Sequence, residues 1–281
     1  MEPLVFLAVL ASAAMHATWN ALVKGNDDKT IGMAAVVLGA VPLAIPAIVI
    51  APWPAAESWP FIAGGVVLHV GYQLFLLLSY GLGDLTLVYP IARGSAPLLV
   101  AGISVLFLGE ALSQGELLAI SLIALGIASL VAARGRDGLR NPKAAGLALA
   151  TGLFVAGYSL VDGLGARLAG TAVGYFAWLT TINAVVFALI MRVRRPGLLT
   201  RVASEARRLA LGGGAASFLA FTIVVWAFTQ APIPLVAALR EVSVVFAVII
   251  GVVFLKEPIN LAKLASTALT ISGAALMKLI R

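Results

Sequence analysis

DLTLVYPIARGSAPLLVAGISVLFLGE, from Asp84 to Glu110, and APIPLVAALREVSVVFAVIIGVVFLKE, from Ala231 to Glu257, decide how this chain is read. Each is apolar enough, and at least as long as the roughly 20 residues a helix needs, to cross a bilayer. Each holds one arginine, Arg93 or Arg240, and closes on an apolar block and a glutamate, Glu110 or Glu257. They align without a gap at an offset of 147 residues (231 minus 84). The chain is therefore two copies of one membrane unit, and each copy carries a cation inside the membrane.

An arginine at the centre of a bilayer costs about 2.5–3.5 kcal/mol on insertion scales. Arg93 lies roughly 12 Å along a helix that begins at Leu85, at about 1.5 Å per residue. That is near the middle of a hydrocarbon core about 30 Å thick, too deep for the side chain to snorkel to an interface. Both arginines are expected to face a polar interior, either reading a ligand or bracing helices.

Apolar residues make up 62% of the chain and charged residues 11%, against about 25% charged in soluble domains. The excess of positive charge lies between apolar runs rather than on one face, which argues against nucleic-acid binding. Without cysteine there is no disulfide, thiolate metal site or cysteine nucleophile. His16 and His69 are too far apart in sequence to suggest zinc. No HExxH, Walker loop, paired carboxylates or nucleophile with a base appears. The reading is a non-enzyme with no cofactor and no metal. Met1–Ala17 looks like a signal peptide but has Glu2 in place of a basic start, and its apolar run continues to Val23; it is read as the first span.

Hydropathy predicts ten spans, at about 3–23, 31–51, 60–81, 85–108, 116–133, 144–166, 171–191, 209–230, 233–255 and 260–279. The fold expected is an all-α membrane protein of ten transmembrane helices. It divides into a first five-helix repeat over 1–138 and a second over 139–281. Five is odd, so the copies cross the membrane in opposite senses. Such inverted repeats are a recurring plan of secondary transporters, with the site near the midplane. Pro42, Pro46, Pro90 and Pro97 lie inside spans and are expected to kink them, the last two bracketing Arg93. Ser113-Gln114-Gly115-Glu116 reads as a capping box, which makes Glu110 beside it a structural span-end group.

Polar residues at helical spacing mark the inward faces. His16 and Asn20 are four apart in span 1, with Trp19 beside them, and Tyr158 and Asp162 fall in register with them at an offset of 142 (158 minus 16). Span 3 carries His69, Tyr72, Gln73 and Tyr80 along one face. With Tyr89 and Trp226, in span 8, the aromatic members of these sets suggest an aromatic-lined pocket; packing between helices is the alternative. Trp53 and Trp59 suit an interfacial belt. On a continuous helix Glu241 points about 100° away from Arg240, so it needs another cation, and Arg93 of the other copy is the economical candidate.

The ordered set HATWN (16–20), VYPIARGSAPLL (88–99), FLGE (107–110), LREVSVVFA (239–247) and FLKEP (254–258) resembles the EamA-type carriers of the drug/metabolite transporter superfamily over the whole chain. The resemblance implies ten helices in two inverted five-helix repeats around a central cavity lined by the first, third and fourth helices of each. It implies substrates among amino acids, nucleotide sugars, triose phosphates and cationic drugs, and among bacterial members it leans toward exporters of aromatic amino acids. Read this way, the chain is a multi-pass carrier of the bacterial inner membrane, monomeric, contacting lipid and a small molecule. It exports small zwitterionic metabolites, above all neutral and aromatic amino acids. Arg93 or Arg240 would hold the carboxylate, and Glu241, Asp162 or Asn20 the ammonium. The alternatives are a proton-coupled efflux carrier for cations and, of another class, a non-transporting membrane scaffold.

The links after the odd-numbered spans hold fourteen lysines and arginines and the opposite side three, Arg167, Lys278 and Arg281. The bias places both termini outside the cytoplasm, whereas many members of the resembled family are described with cytoplasmic termini. A cysteine introduced at Ser204, in a chain that has none, should resist an impermeant thiol reagent in intact cells; rapid labelling would reverse the orientation.

Overall fold

The computed structural model of the chain describes residues 1–24, 26, 28–82, 85–132, 142–253, 256 and 259–280. Among them all regular structure is helical. The elements are α1 (Pro3–Lys24), α2 (Lys29–Gly39), α3 (Val41–Ile50), a short 3₁₀ turn (Ala56–Ser58), α4 (Trp59–Leu82), α5 (Leu85–Phe107), α6 (Gln114–Ala132), α7 (Pro142–Ala169), α8 (Ala172–Arg194), α9 (Leu198–Glu205), α10 (Arg207–Gln230), α11 (Ile233–Arg240), α12 (Ser243–Val253) and α13 (Leu261–Leu279).

Among the described residues seven stretches are long and apolar enough to cross a membrane: Pro3–Val23, Lys29–Ile50, Ala56–Ser79, Ala145–Ala169, Ala172–Arg194, Arg207–Gln230 and Ile233–Val253. Ile91–Phe107 and Gln114–Leu130 are shorter apolar helices. The tenth predicted span falls on α13, which carries Lys263 and Lys278 and is less apolar. The bundle turns apolar side chains outward on almost every helix, among them Leu7, Ile50, Val67, Leu125, Leu153, Val185, Leu219 and Ile271. Apolar exposure on this scale suits lipid, not water.

Helix ends are set by local chemistry. Asp28 caps α2 by accepting from the amides of Thr30 and Ile31 at 2.9 and 3.2 Å. Thr171 caps α8 and Asn260 caps α13. The capping box forms as expected: the Ser113 amide donates to Glu116 at 2.8 Å, and the Glu116 amide to the Ser113 hydroxyl at 3.2 Å. Two predicted spans are each two helices end to end. The first breaks between α2 and α3, where Pro42 sits in the first turn of α3 and supplies no amide donor. The second breaks between α11 and α12 at Glu241 and Val242. By contrast α5 passes through Pro90 and Pro97 without a break, although Pro97 withholds the amide that would bond the Arg93 carbonyl.

The two halves pack in a matching pattern. α1 lies on α10 as α7 lies on α4; α7 lies on α5 as α1 lies on α11 and α12; α6 pairs with α13, and α3 with α8. At one end of the bundle the Ala55 amide donates to the Ala169 carbonyl at 3.1 Å, and Arg167 reaches Glu110 at 3.5 Å. Glu110 is thus a span-end group tied to a neighbouring helix. Trp53, Trp59 and Trp178 cluster with ring centroids 5.2–6.5 Å apart. At the other end Arg195 and Arg201 face Asp28 at 3.6 and 3.7 Å.

Lipid offers no hydrophobic drive for helices to associate, so close approach rests on small residues. α2 and α10 meet backbone to backbone: a Cβ at Gly39 would collide with the Ala210 carbonyl, and one at Gly214 with the Gly39 backbone. Gly39→Ala should destabilise the fold by about 1–3 kcal/mol through overpacking, seen as a lower melting temperature in detergent. Gly102→Ala, where a Cβ meets nothing within 4 Å, should leave it unchanged. Equal behaviour of the two variants would contradict the close crossing.

Candidate functional site

The break between α11 and α12 places the charged centre. The amides of Glu241 and Val242 turn back to Ala238 and Leu239 at 3.0 and 3.1 Å, a tighter pattern than the α-helix, and the Val244 amide takes the Glu241 carbonyl at 3.0 Å. Glu241 is fully buried, Arg240 is 1% exposed and Arg93 5%. Glu241 Oε2 lies 2.8 Å from Arg93 Nε, so α5 is tied to the break. Its Oε1 lies 3.5 Å from Arg240 Nη2, which differs from the expectation that neighbours in sequence point apart. That expectation assumed a continuous helix, and the break removes the assumption. Ser243 accepts from Arg93 and Ser159 from Arg240, both at 3.4 Å. Arg240 Nε and Nη1 have no hydrogen-bond partner among the described residues.

A second buried pair lies on α4 and α7. His69 Nε2 is 2.8 Å from Asp162 Oδ2, and the Tyr175 hydroxyl donates to Oδ1 at 3.5 Å. Gly65, one turn before His69, makes room for this carboxylate, since a Cβ there would stand 2.7 Å from Oδ1. Tyr158 joins the two centres. The His69 ring stacks on it with centroids 4.2 Å apart, and the Arg240 guanidinium lies 5.6 Å from its ring centroid, within cation–π range.

Beside these centres a cavity opens between α1, α2, α4, α8 and α10. Trp19, His69, Tyr72 and Gln73 line it, as do Phe176, Thr180, Asn183 and Phe221. Trp19 Nε1, Gln73 Oε1, Thr180 Oγ1 and Asn183 Oδ1 are buried there without a partner among the described residues. Leaving a buried donor or acceptor unmade costs about 1–3 kcal/mol each, so these four atoms call for water or another polar partner in the cavity. The family resemblance had pointed to the first, third and fourth helices of each half. Here side chains of both second spans, on α2 and α8, line the cavity, and Arg93 and Arg240 stand behind it.

The remaining expected residues divide. His16 is 1% exposed; its Nδ1 meets the Ser12 carbonyl at 3.1 Å and its ring lies 4.7 Å from Phe221, one layer behind the wall. Asn20 donates to the His16 carbonyl at 2.7 Å, so its amide serves its own helix. Trp226 packs on the apolar core shared by α1, α5 and α11, away from the aromatic group. The side chains of Tyr80 and Tyr89, and Glu257 with the Arg134–Arg140 part of the link between the halves, lie outside the described residues. Five residues were not anticipated: Tyr175, Phe176, Thr180, Asn183 and Phe221. A signal existed for three of them, since Phe176, Thr180 and Asn183 recur at helical spacing on one face of an apolar span.

Residues 142–279 match the model of the EamA-like transporter family. No curated protein matches the chain. Among solved structures, one described only as the crystal structure of a protein aligns with 100% of this chain and 98% of its own, at a TM-score of 0.75 and 19% identity. That likeness is one of fold.

Because one carboxylate serves two arginines, removing it should cost more than removing either partner. Breaking a buried pair costs about 3–5 kcal/mol, since the surviving charge is uncompensated. Glu241→Ala should therefore lower thermal stability more than Arg93→Ala, and the double variant should lose less than the sum. Strict additivity in detergent melts would mean that the pair carries no coupling.

Proposed function

We propose, from the premise that residues 142–279 form a domain of the EamA-like transporter family, that the chain is a multi-pass secondary transporter working by alternating access. The observation that carries this reading is the cavity with four unpartnered buried polar atoms, set among aromatic rings inside an apolar bundle. A scaffold has no use for such a wall. The matching pattern of helix packing in the two halves supports two inverted five-helix repeats, 1–138 and 139–281, giving ten crossings around the cavity. The charge bias of the links supports termini outside the cytoplasm of a bacterial inner membrane.

The substrate class we infer is a small zwitterion, with neutral and aromatic amino acids foremost, carried outward. Phe176, Phe221 and Tyr72 offer flat apolar faces to an aromatic side chain. Arg93 and Arg240 share one carboxylate, so a substrate carboxylate supplies the second anion, and Arg240 keeps two nitrogens free of partners among the described residues to receive it. Guanidinium meets carboxylate through two parallel hydrogen bonds, which lysine does not reproduce. Two arginines against one glutamate at this centre disfavour the rival reading, a carrier of cations.

The test is counterflow in proteoliposomes with phenylalanine beside phenethylamine, which lacks the carboxylate. Arg240→Lys or Arg93→Lys, folded as judged by gel filtration, should weaken phenylalanine transport several-fold and spare the amine. If the parent exchanges no amino acid from a mixed pool, the substrate class is wrong. If both lysine variants lose both substrates equally, the arginines are braces.

A further inference from the structure

We propose that the arginines gathered around α9, at the facing ends of α8 and α10, form a binding surface for the headgroups of anionic phospholipids. The inference rests on the membrane character of the bundle and on no substrate. Between Arg192 and Arg208 the chain carries six arginines, Arg192, Arg194, Arg195, Arg201, Arg207 and Arg208, against one acid, Glu205. All six are exposed. Arg201 is committed: it meets Glu205 through two nitrogens at 3.0 and 3.1 Å, and with Arg195 it faces Asp28. Arg192, Arg194, Arg207 and Arg208 have no carboxylate within ion-pair distance among the described residues. At the opposite end Arg167, by contrast, gives its hydrogens to two backbone carbonyls and Glu110.

The local fold holds these groups at the edge of the hydrocarbon. Val185, Leu189 and Val193 recur every four residues on α8 and are all exposed, so they mark its lipid-facing side. Arg192 and Arg194 flank the last of them. On α10, Arg207 and Arg208 stand four and three residues before the exposed Leu211, on a face that continues to the exposed Leu219. Both apolar stripes therefore end under guanidinium groups. α9 packs on α2, α8 and α10 and joins the two clusters as a fixed piece. Gly197, with φ of +83°, turns the chain into it, and its Leu198 and Val202 are buried in a core shared with Ile31 and Phe187. The apolar side of α9 is thus taken up by the bundle, and the backbone that carries the arginines is anchored at both ends.

The chemistry of the four unpaired arginines selects the partner. Guanidinium is weakly hydrated and meets phosphate oxygens through paired hydrogen bonds. Basic clusters beside a membrane span draw anionic lipid, and these lie where acyl chains give way to headgroups. Asp28 and Glu205 stand beside Arg195 and Arg201, so lipid phosphate falls to Arg192, Arg194, Arg207 and Arg208. A nucleic acid or an acidic protein fits this surface less well, because headgroups already contest its approach at that height.

Native mass spectrometry tests this on the purified chain offered equal amounts of phosphatidylglycerol and phosphatidylcholine. The parent should retain phosphatidylglycerol over phosphatidylcholine by roughly five-fold or more. Arg192→Gln, Arg194→Gln, Arg207→Gln and Arg208→Gln combined should bring that ratio to within about two-fold of unity. Lys143→Gln with Lys278→Gln, which removes two exposed lysines elsewhere, should leave it unchanged. A second measurement needs no variant. In nanodiscs, amide hydrogen exchange over residues 195–208 of the parent should slow about three-fold or more when phosphatidylglycerol replaces part of the phosphatidylcholine. Inorganic phosphate or a short RNA added to phosphatidylcholine discs should not slow it. Equal retention of the two lipids by the parent overturns the proposal, as does a preference that survives the combined arginine variant or vanishes in the lysine control. Slowing by phosphate or RNA but not by phosphatidylglycerol overturns it in favour of a soluble anion. If the combined variant does not fold, the exchange measurement on the parent decides.

Discussion

One carboxylate holds two arginines in the middle of an apolar bundle, and the structure around it is arranged to make that tolerable. Glu241 is fully buried between Arg93 and Arg240, where an uncompensated charge would cost several kcal/mol. The chain meets the demand by breaking a helix. At Glu241 and Val242 the backbone tightens, which lets adjacent residues in sequence reach toward one another and leaves Arg93 within reach from α5. Hydroxyls at Ser243 and Ser159 take further guanidinium hydrogens. The same break leaves the first half and the second half of the chain joined through charge at their most apolar depth.

Behind the cavity the polar groups form a connected series. Asp162 holds His69, His69 stacks on Tyr158, Tyr158 lies under Arg240, and Arg240 shares Glu241 with Arg93. Four helices, α4, α5, α7 and α11, and the break at Glu241 contribute to it. In a medium with little screening, a change of charge at one member is felt by the next. The cavity wall presents mostly neutral hydrogen-bonding groups, and the two arginines with Glu241 lie one layer deeper.

Most of the helices, the capping box at Ser113–Glu116 and the pairing of Glu241 with Arg93 were legible because each follows from local pattern or from a single unavoidable debt of charge. The contact between Arg240 and Glu241 was not, because the break carries neither proline nor glycine to announce it. His69 and Asp162 were both marked as inward-facing, yet nothing in sequence spacing joins residues 93 positions apart. Thr180 and Asn183 were overlooked although they obey the same helical spacing that singled out His69, Tyr72 and Gln73. Phe221 looks like any core phenylalanine until the fold places it against His16 and His69.

The two ends of the bundle are closed by different chemistry. At one end Arg167 donates to the backbone carbonyls of Phe228 and Ala231 at 2.9 and 3.0 Å, and the Ala55 amide meets Ala169; these bonds are short and directional. At the other end Asp28 faces Arg195 and Arg201 at 3.6 and 3.7 Å, with both arginines more than half exposed. Ion pairs of that kind are worth at most about 1 kcal/mol and fade over a screening length of about 8 Å at physiological salt. Ionic strength therefore weighs most on the Asp28 face, whereas at the opposite face backbone hydrogen bonds stand beside the Arg167–Glu110 ion pair.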